Sequence, residues 1–178
     1  MKILEKTRCY LVGPMEFENG KIWRDHVTNQ LRQEFNITVF DPYYRPFIND
    51  LKEDDAARNE MLLNVKANKL DIVHKKMRYI RASDLRICDI CDFAIVRLNP
   101  ETPSWGSVEE LVTLNRAKKP IFIFVEGGRT KTPLWVIGMI NPKYIFSSFE
   151  DIMIHLRKIN ARKTGLDGRW RILDGSFR

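Results

Sequence analysis

Apolar residues fall along this chain in two alternating rhythms. Short runs from Arg8 to Val12, Ile37 to Phe40, Asp92 to Leu98, Ile121 to Val125 and Lys143 to Phe146 have the length and β-branched or aromatic content of buried strands. Between them, spacings of three and four predict helices from Lys21 to Phe35, from Glu53 to about Cys91 with a break inside, from Val108 to Ala117, near Leu134, and from Phe149 to Ile159. In the first helix Trp23, Val27, Leu31 and Phe35 repeat every four residues and form one core-facing stripe. Strands alternating with helices imply crossover connections and parallel pairing. The expectation is a three-layer, Rossmann-like (flavodoxin-like) α/β domain with a mainly parallel sheet of about five strands, its ligand site beyond the carboxyl ends of the strands.

At 178 residues and 44% hydrophobic, the chain has the material for one well-buried domain. The pattern places that domain at residues 1–160 and leaves 161–178 as a basic tail, where Thr164 to Trp170 carries two glycines and loses periodicity. The tail is expected either to wrap another surface or a neighbouring subunit, or to be disordered. No apolar run approaches the ~20 residues of a bilayer span, and Met1 to Lys6 lacks the apolar core of a secretory signal. The expected setting is cytoplasmic, with no membrane partner. Three cysteines, Cys9, Cys88 and Cys91, fit free thiols, and the Cys88-x-x-Cys91 pair falls on an apolar helical stripe, where core packing is the better reading than a metal or redox site. No metal and no cofactor is expected.

The net charge of +7 concentrates in Lys66 to Arg86 and in the tail. Such charge suits anionic partners, nucleotides or nucleic acid, or simply a solvated surface; no nucleic-acid motif accompanies it. Gly127-Gly128-Arg129-Thr130-Lys131 lacks phosphate-loop spacing and reads as an exposed turn, and no Gly-x-Gly-x-x-Gly exists, so nucleoside triphosphatase and dinucleotide oxidoreductase readings both lose support.

Chemistry concentrates where the strand ending at Leu98 hands over to a helix, in Pro103-Ser104-Trp105-Gly106-Ser107-Val108-Glu109-Glu110-Leu111. Glu110 stands four residues after Gly106 at the sheet edge where ligands bind. It is either a nucleophile or the far half of a capping box begun by Ser107. Asp84 shares a helical face with Ile80, Ile87, Cys88 and Cys91, an acid in an apolar stripe that needs a partner, either a ligand hydroxyl or a base such as Arg81 or Arg86. Tyr10 and Gly13-Pro14 end the first strand, where glycine allows close approach to the backbone and Tyr10 is a site residue or a core aromatic. Asp41-Pro42-Tyr43-Tyr44 ends the second strand, positioned to line a pocket with its aromatics.

Taken together, Cys9-Tyr10-Leu11-Val12-Gly13-Pro14, Asp84 ahead of Asp92, Ser104, and Gly106-x-x-x-Glu110-Leu111 resemble the nucleoside 2-deoxyribosyltransferase superfamily, including its 2'-deoxynucleoside 5'-phosphate N-hydrolase branch. The similarity runs from about Arg8 to Phe146, weakest from Pro46 to Lys76. It implies Glu110 as nucleophile with Glu109 a bystander facing another way around the helix, Asp84 orienting the sugar and Ser104 on a phosphate; by their positions Tyr10, Gly13, Asp41 and Gly106 are expected around the substrate. It implies a small-molecule nucleoside or nucleotide partner and a homo-oligomer, and Trp135, Val136, Ile137, Met139 and Ile140 supply an apolar patch for one, unless they are core. The chain departs from the hydrolase branch at Gly13-Pro14-Met15-Glu16, where that branch has serine and arginine for the phosphate, and at Leu134-Trp135, which bring no serine or asparagine to a neighbour's site. Glu16 would repel a phosphate, so a 2'-deoxynucleoside is the expected substrate, with its 5'-monophosphate as the alternative. A non-catalytic nucleotide- or nucleic-acid-binding protein is the third reading, and the group that protonates the leaving base is unassigned.

Overall fold

The computed structural model describes residues 3–15, 18–44, 53–164 and 167–170. Strands β1 (Arg8–Val12), β2 (Thr38–Phe40), β3 (Phe93–Leu98), β4 (Ile121–Val125) and β5 (Ile145–Phe146) form one sheet in the order β2-β1-β3-β4-β5, with every neighbouring pair parallel. This is the expected flavodoxin-like α/β arrangement. β1, β3 and β4 are central and buried on both faces, which is why they read as unbroken apolar runs and not as alternation.

Helices α1 (Glu18–Phe35) and α6 (Phe149–Asn160) lie together on one face, joined by Arg157 donating to Glu34 at 2.7 and 3.0 Å. Their stripes, Val27, Leu31 and Phe35 on one and Ile152, Met153, Leu156 and Ile159 on the other, are at most 1% exposed. Each such side chain contributes about 1.5–3 kcal/mol of burial. Right-handed crossovers put α3 (Leu70–Ile90) and α4 (Trp105–Arg116) on the opposite face, where Cys88, Leu111 and Leu114 enter the core. The expected helical stretch after Glu53 splits into α2 (Asp55–Lys66) and α3 at Ala67 to Lys69, where Asn68 takes a left-handed φ of 56° that asparagine tolerates.

Two boundaries differ from the sequence reading for local reasons. α4 begins at Trp105, with Ser104 as its N-cap in extended conformation, so Ser107 lies inside the first turn and cannot cap Glu110. The last strand shrinks to Ile145–Phe146 because Pro142 starts a 3-10 turn through Tyr144, capped by Asn141 accepting from the Lys143 amide. Gly127 and Gly128, with φ of 75° and 99°, make the exposed turn after β4.

The tail segment 167–170 packs on its own domain. Trp170 is 2% exposed against Phe93 and Phe122, at the start of β3 and β4, while Arg169 donates to the Lys119 carbonyl and Asn115. This closes the amino end of the sheet, away from the carboxyl ends where ligands bind. The patch around the short helix α5 (Leu134–Met139) divides: Val136 and Ile140 are core, whereas Leu134 and Trp135 are 86% and 84% exposed. All three cysteines are buried, and burial raises each thiol, leaving them packing groups. No helix among the described residues is long and apolar enough to cross a membrane.

Candidate active site

A cavity of about 340 Å³ opens beyond the carboxyl ends of β1 and β3, the point where the chain turns one way to β2 and returns past β1 to β3. Its wall is assembled from Gly13 and Met15 after β1, Pro42 after β2, the α2–α3 hairpin, and the first turns of α4. Of the residues singled out from sequence, Gly13, Asp84, Ser104, Gly106 and Glu110 line it. Tyr10 and Asp41 stand outside that wall, each holding a residue that lines it.

Glu110 lies in the second turn of α4, 9% exposed, and accepts a 2.5 Å hydrogen bond from Tyr10 Oη. Burial is the main cause that pushes its carboxyl up to about 8, and the charge of Asp84 adds to it; the Tyr10 hydrogen bond and the charge of Arg24 act the other way. Tyr10 is fully buried, and burial followed by the Glu110 charge raises its phenol, so it remains a donor. Glu110 is thus held by a side chain from the central strand and not by helix capping.

Asp84, half-buried on α3, faces the same cavity as Glu110. Of its basic neighbours, Arg81 bridges to Glu109, with Nε donating at 2.8 Å, and Arg86 reaches Asp89 at 3.7 Å. Glu109 and Arg81 both line the cavity and tie α4 to α3 across its wall.

Ser104 occupies the N-cap of α4, yet its hydroxyl makes no capping bond, leaving it for the cavity it lines. A Cβ at Gly106 would meet only Ser104 Oγ, at 3.9 Å. Packing does not require glycine there, although a helical glycine costs about 1 kcal/mol relative to alanine; its absent side chain keeps cavity space. Gly13 has a different reason. A Cβ there would come within 3.1 Å of Arg97 and Trp23, so the close approach is by the chain's own residues.

Asp41 is 8% exposed and turned to Arg24, whose Nη1 donates to it at 3.3 Å. Tyr43 and Tyr44 stack edge-on against each other, with Pro42 alone of that turn reaching the cavity. Arg24 is the largest omission of the sequence reading: it is 1% exposed and part of the wall. Its position, three before Val27 and seven before Leu31, puts a charge in the apolar stripe of α1, the same signal that singled out Asp84. Glu53 and Arg58 also line the cavity, and no periodicity marked them. Glu16 lies outside the described residues. Among the described residues no cluster of three or more His, Cys, Asp or Glu is placed to hold a metal ion.

The chain matches no family model and no curated protein. Its backbone is similar to that of a 2-deoxyribosyltransferase from the psychrotolerant bacterium Bacillus psychrosaccharolyticus, with a TM-score of 0.56 and 18% identity, covering 82% of this chain and 90% of that one. It also aligns with a 2-desoxiribosyltransferase from Leishmania mexicana, with a TM-score of 0.46 and 16% identity over 96% of this chain and 99% of that one. A conserved protein from Enterococcus faecalis aligns with a TM-score of 0.49 and 16% identity, over 95% of this chain and 96% of that one. At this identity the first likeness speaks to the fold, a doubly wound parallel α/β domain.

Proposed function

We propose that this chain is a member of the nucleoside 2-deoxyribosyltransferase superfamily that cleaves or transfers the N-glycosidic bond of a 2'-deoxynucleoside. The observation that carries the reading is Glu110: a buried carboxyl, held by Tyr10, facing a nucleoside-sized cavity that it shares with Asp84. In the first step a Glu110 carboxylate oxygen bonds to C1' of the deoxyribose while the C1'–N bond breaks, its electron pair passing to the base, which takes up a proton from solvent water. The oxocarbenium-like transition state is stabilised by negative charge at this position. In the second step the nitrogen of an acceptor base, or water, attacks C1' and releases the Glu110 carboxylate. Asp84, on the adjoining helix, is the group to hold the sugar hydroxyls.

A second reading, the 5'-monophosphate as substrate, is favoured by Ser104. Its hydroxyl is unspent at the N-terminus of α4, where helix amides attract anions, and Arg81 stands in the same wall. A nucleic-acid ligand is not favoured: the cavity wall sets its arginines, Arg24, Arg58 and Arg81, among four acids, Glu53, Asp84, Glu109 and Glu110, and forms no basic track for a phosphate backbone. The exposed Leu134 and Trp135, with Trp105 at the cavity 90% exposed, support a homo-oligomer that covers them.

The test is release of free base from a panel of deoxynucleosides and their 5'-monophosphates, with and without an acceptor base. Wild type is expected to turn over at least one of them and Glu110→Ala none. A Glu110→Ala protein with near-normal turnover refutes the assignment.

A further inference from the structure

A guanidinium buried in an apolar helix stripe is costly unless its donors are satisfied and its charge is used. Arg24 Nη1 donates to the Leu11 carbonyl at 2.8 Å and Nη2 to the Gly13 carbonyl at 2.8 Å, so one side chain of α1 grips the end of β1 and the loop that continues as the cavity wall. Its contact with Asp41, at 3.3 Å, reaches one carboxylate oxygen only; Asp41 Oδ2 and Arg24 Nε are buried without a hydrogen-bond partner. The plane rests on Trp23, 4.7 Å from the ring centroid. The charge is therefore fixed in place and incompletely neutralised, at the edge of a cavity whose wall holds four carboxylates.

We propose that Arg24 is the positioning residue of this site: it fixes the Gly13 wall by gripping the Leu11 and Gly13 carbonyls and presents a permanent positive charge to the cavity wall it shares with Glu110. The proposal rests on the reading of Glu110 as nucleophile. The other groups around Glu110 are Tyr10 from β1, which donates to it, Asp84 and Cys88 from α3, and Glu53 and Arg58 from the α2 side. On its own helix Glu109 is engaged by Arg81. Asp84 and Glu53 oppose ionisation; Tyr10 and Arg24 favour it.

The experiment is a pH titration of the Glu110 carboxyl by ¹³C NMR on glutamate-labelled protein, with the resonance assigned by its loss in Glu110→Gln, run beside the pH profile of kcat/KM. Arg24→Gln is expected to move the Glu110 midpoint up by about one pH unit. Arg24→Lys, which keeps the charge, should bring it back toward wild type. Asp41→Asn, which removes the acid competing for Arg24, should move it down, and the acid limb of kcat/KM should follow in each case. A purely structural Arg24 would leave the midpoint where it is in Arg24→Gln and give Arg24→Lys nothing to restore. A midpoint that Arg24→Gln does not raise overturns the proposal, whatever Asp41→Asn does, since losing the Asp41 charge alone also lowers a nearby carboxyl. Should Arg24→Gln fail to fold, Arg24→Met, which keeps the length of the side chain against Trp23 but not its charge, is titrated in its place: an upward shift supports the proposal, no shift or a downward one refutes it. The titration needs no turnover, so wild type inactive on every nucleoside would sink the functional reading while leaving this one decided on its own evidence.

Discussion

Replacing Glu110 by glutamine separates what the carboxylate costs the fold from what it does for the reaction. Gln keeps the size of the side chain and an acceptor for Tyr10 Oη, but cannot ionise. The Glu110 carboxyl has an ordinary value of 4.5 and is raised to about 8, with burial the largest cause. A raised folded value means that the wild type has its full stability below about pH 4.5 and loses it progressively as pH climbs to about 8, beyond which the loss is complete. At about 1.4 kcal/mol per unit, that interval corresponds to a loss on the order of 4–5 kcal/mol. Glu110→Gln lacks this loss. For a domain of this size, 1 kcal/mol moves Tm by about 2–4 °C, so the variant should gain on the order of 10 °C over wild type between pH 4.5 and 9 while losing base release throughout. Thermal melts of both proteins at half-unit steps of pH, paired with base-release assays, measure this. A Tm difference that stays constant across the range would show that the Glu110 carboxyl is not desolvated in the fold, and the electrostatic account of the site would fall.

Other outcomes follow from the same geometry. Wild-type kcat/KM should rise with pH to a limb near 8, since the free enzyme must hold Glu110 ionised to react. Tyr10→Phe removes a hydrogen bond to that charge, typically about 1.5–3 kcal/mol, and should move the limb up by about 1–2 pH units; an unmoved limb would mean the 2.5 Å contact does not persist in solution. Asp84→Asn should stay folded, lose most turnover, and shift the limb to lower pH because a like charge is gone; full activity would leave Asp84 a structural acid. A deoxynucleoside is expected to outpace its 5'-monophosphate, and a large preference for the monophosphate, abolished in Ser104→Ala, would establish the second reading instead. Light scattering at micromolar concentration should give a mass above 21.0 kDa, reduced by Trp135→Ser; a monomer would remove the oligomer proposal.

The fold was legible where local periodicity and burial coincide. Parallel strands buried on both faces leave runs such as Ile121 to Val125, and the α1 stripe repeats so regularly that its core residues can be named in advance. Capping was less legible because the signal is degenerate: Ser104 and Ser107 are both acceptable caps, and only the backbone shows that the helix starts after the first. Glu110 and Asp84 could be picked out by position, but the bond that holds Glu110 joins residues 100 apart in the chain, which no spacing reveals. The same limit hid the partner of Glu109, Arg81, which α3 brings to it from 28 residues away in the chain. Arg24 could have been found by the argument already applied to Asp84. A charge in an apolar stripe signals a buried partner in either case.

The division of labour between the two halves of the cavity says what the proposed oligomer would do for the site. One half is hydrogen-bonded to the sheet: Arg24 on α1 donates to the Leu11 and Gly13 carbonyls, and Tyr10 of β1 donates to Glu110. The other half, with Glu53, Arg58, Met77, Arg81 and Asp84, belongs to the α2–α3 hairpin and the residue leading into it. α2 buries no residue and α3 only Ile80 and Cys88, while Leu62, Leu63, Leu70, Ile72 and Tyr79 are at least half exposed. The hairpin is tied to the domain chiefly through α4, including the exposed Arg81–Glu109 pair, and such a surface pair contributes little holding energy. A second copy that covers this apolar surface would therefore do more than add stability: it would fix Asp84 relative to Glu110, the geometry on which a glycosyl transfer depends.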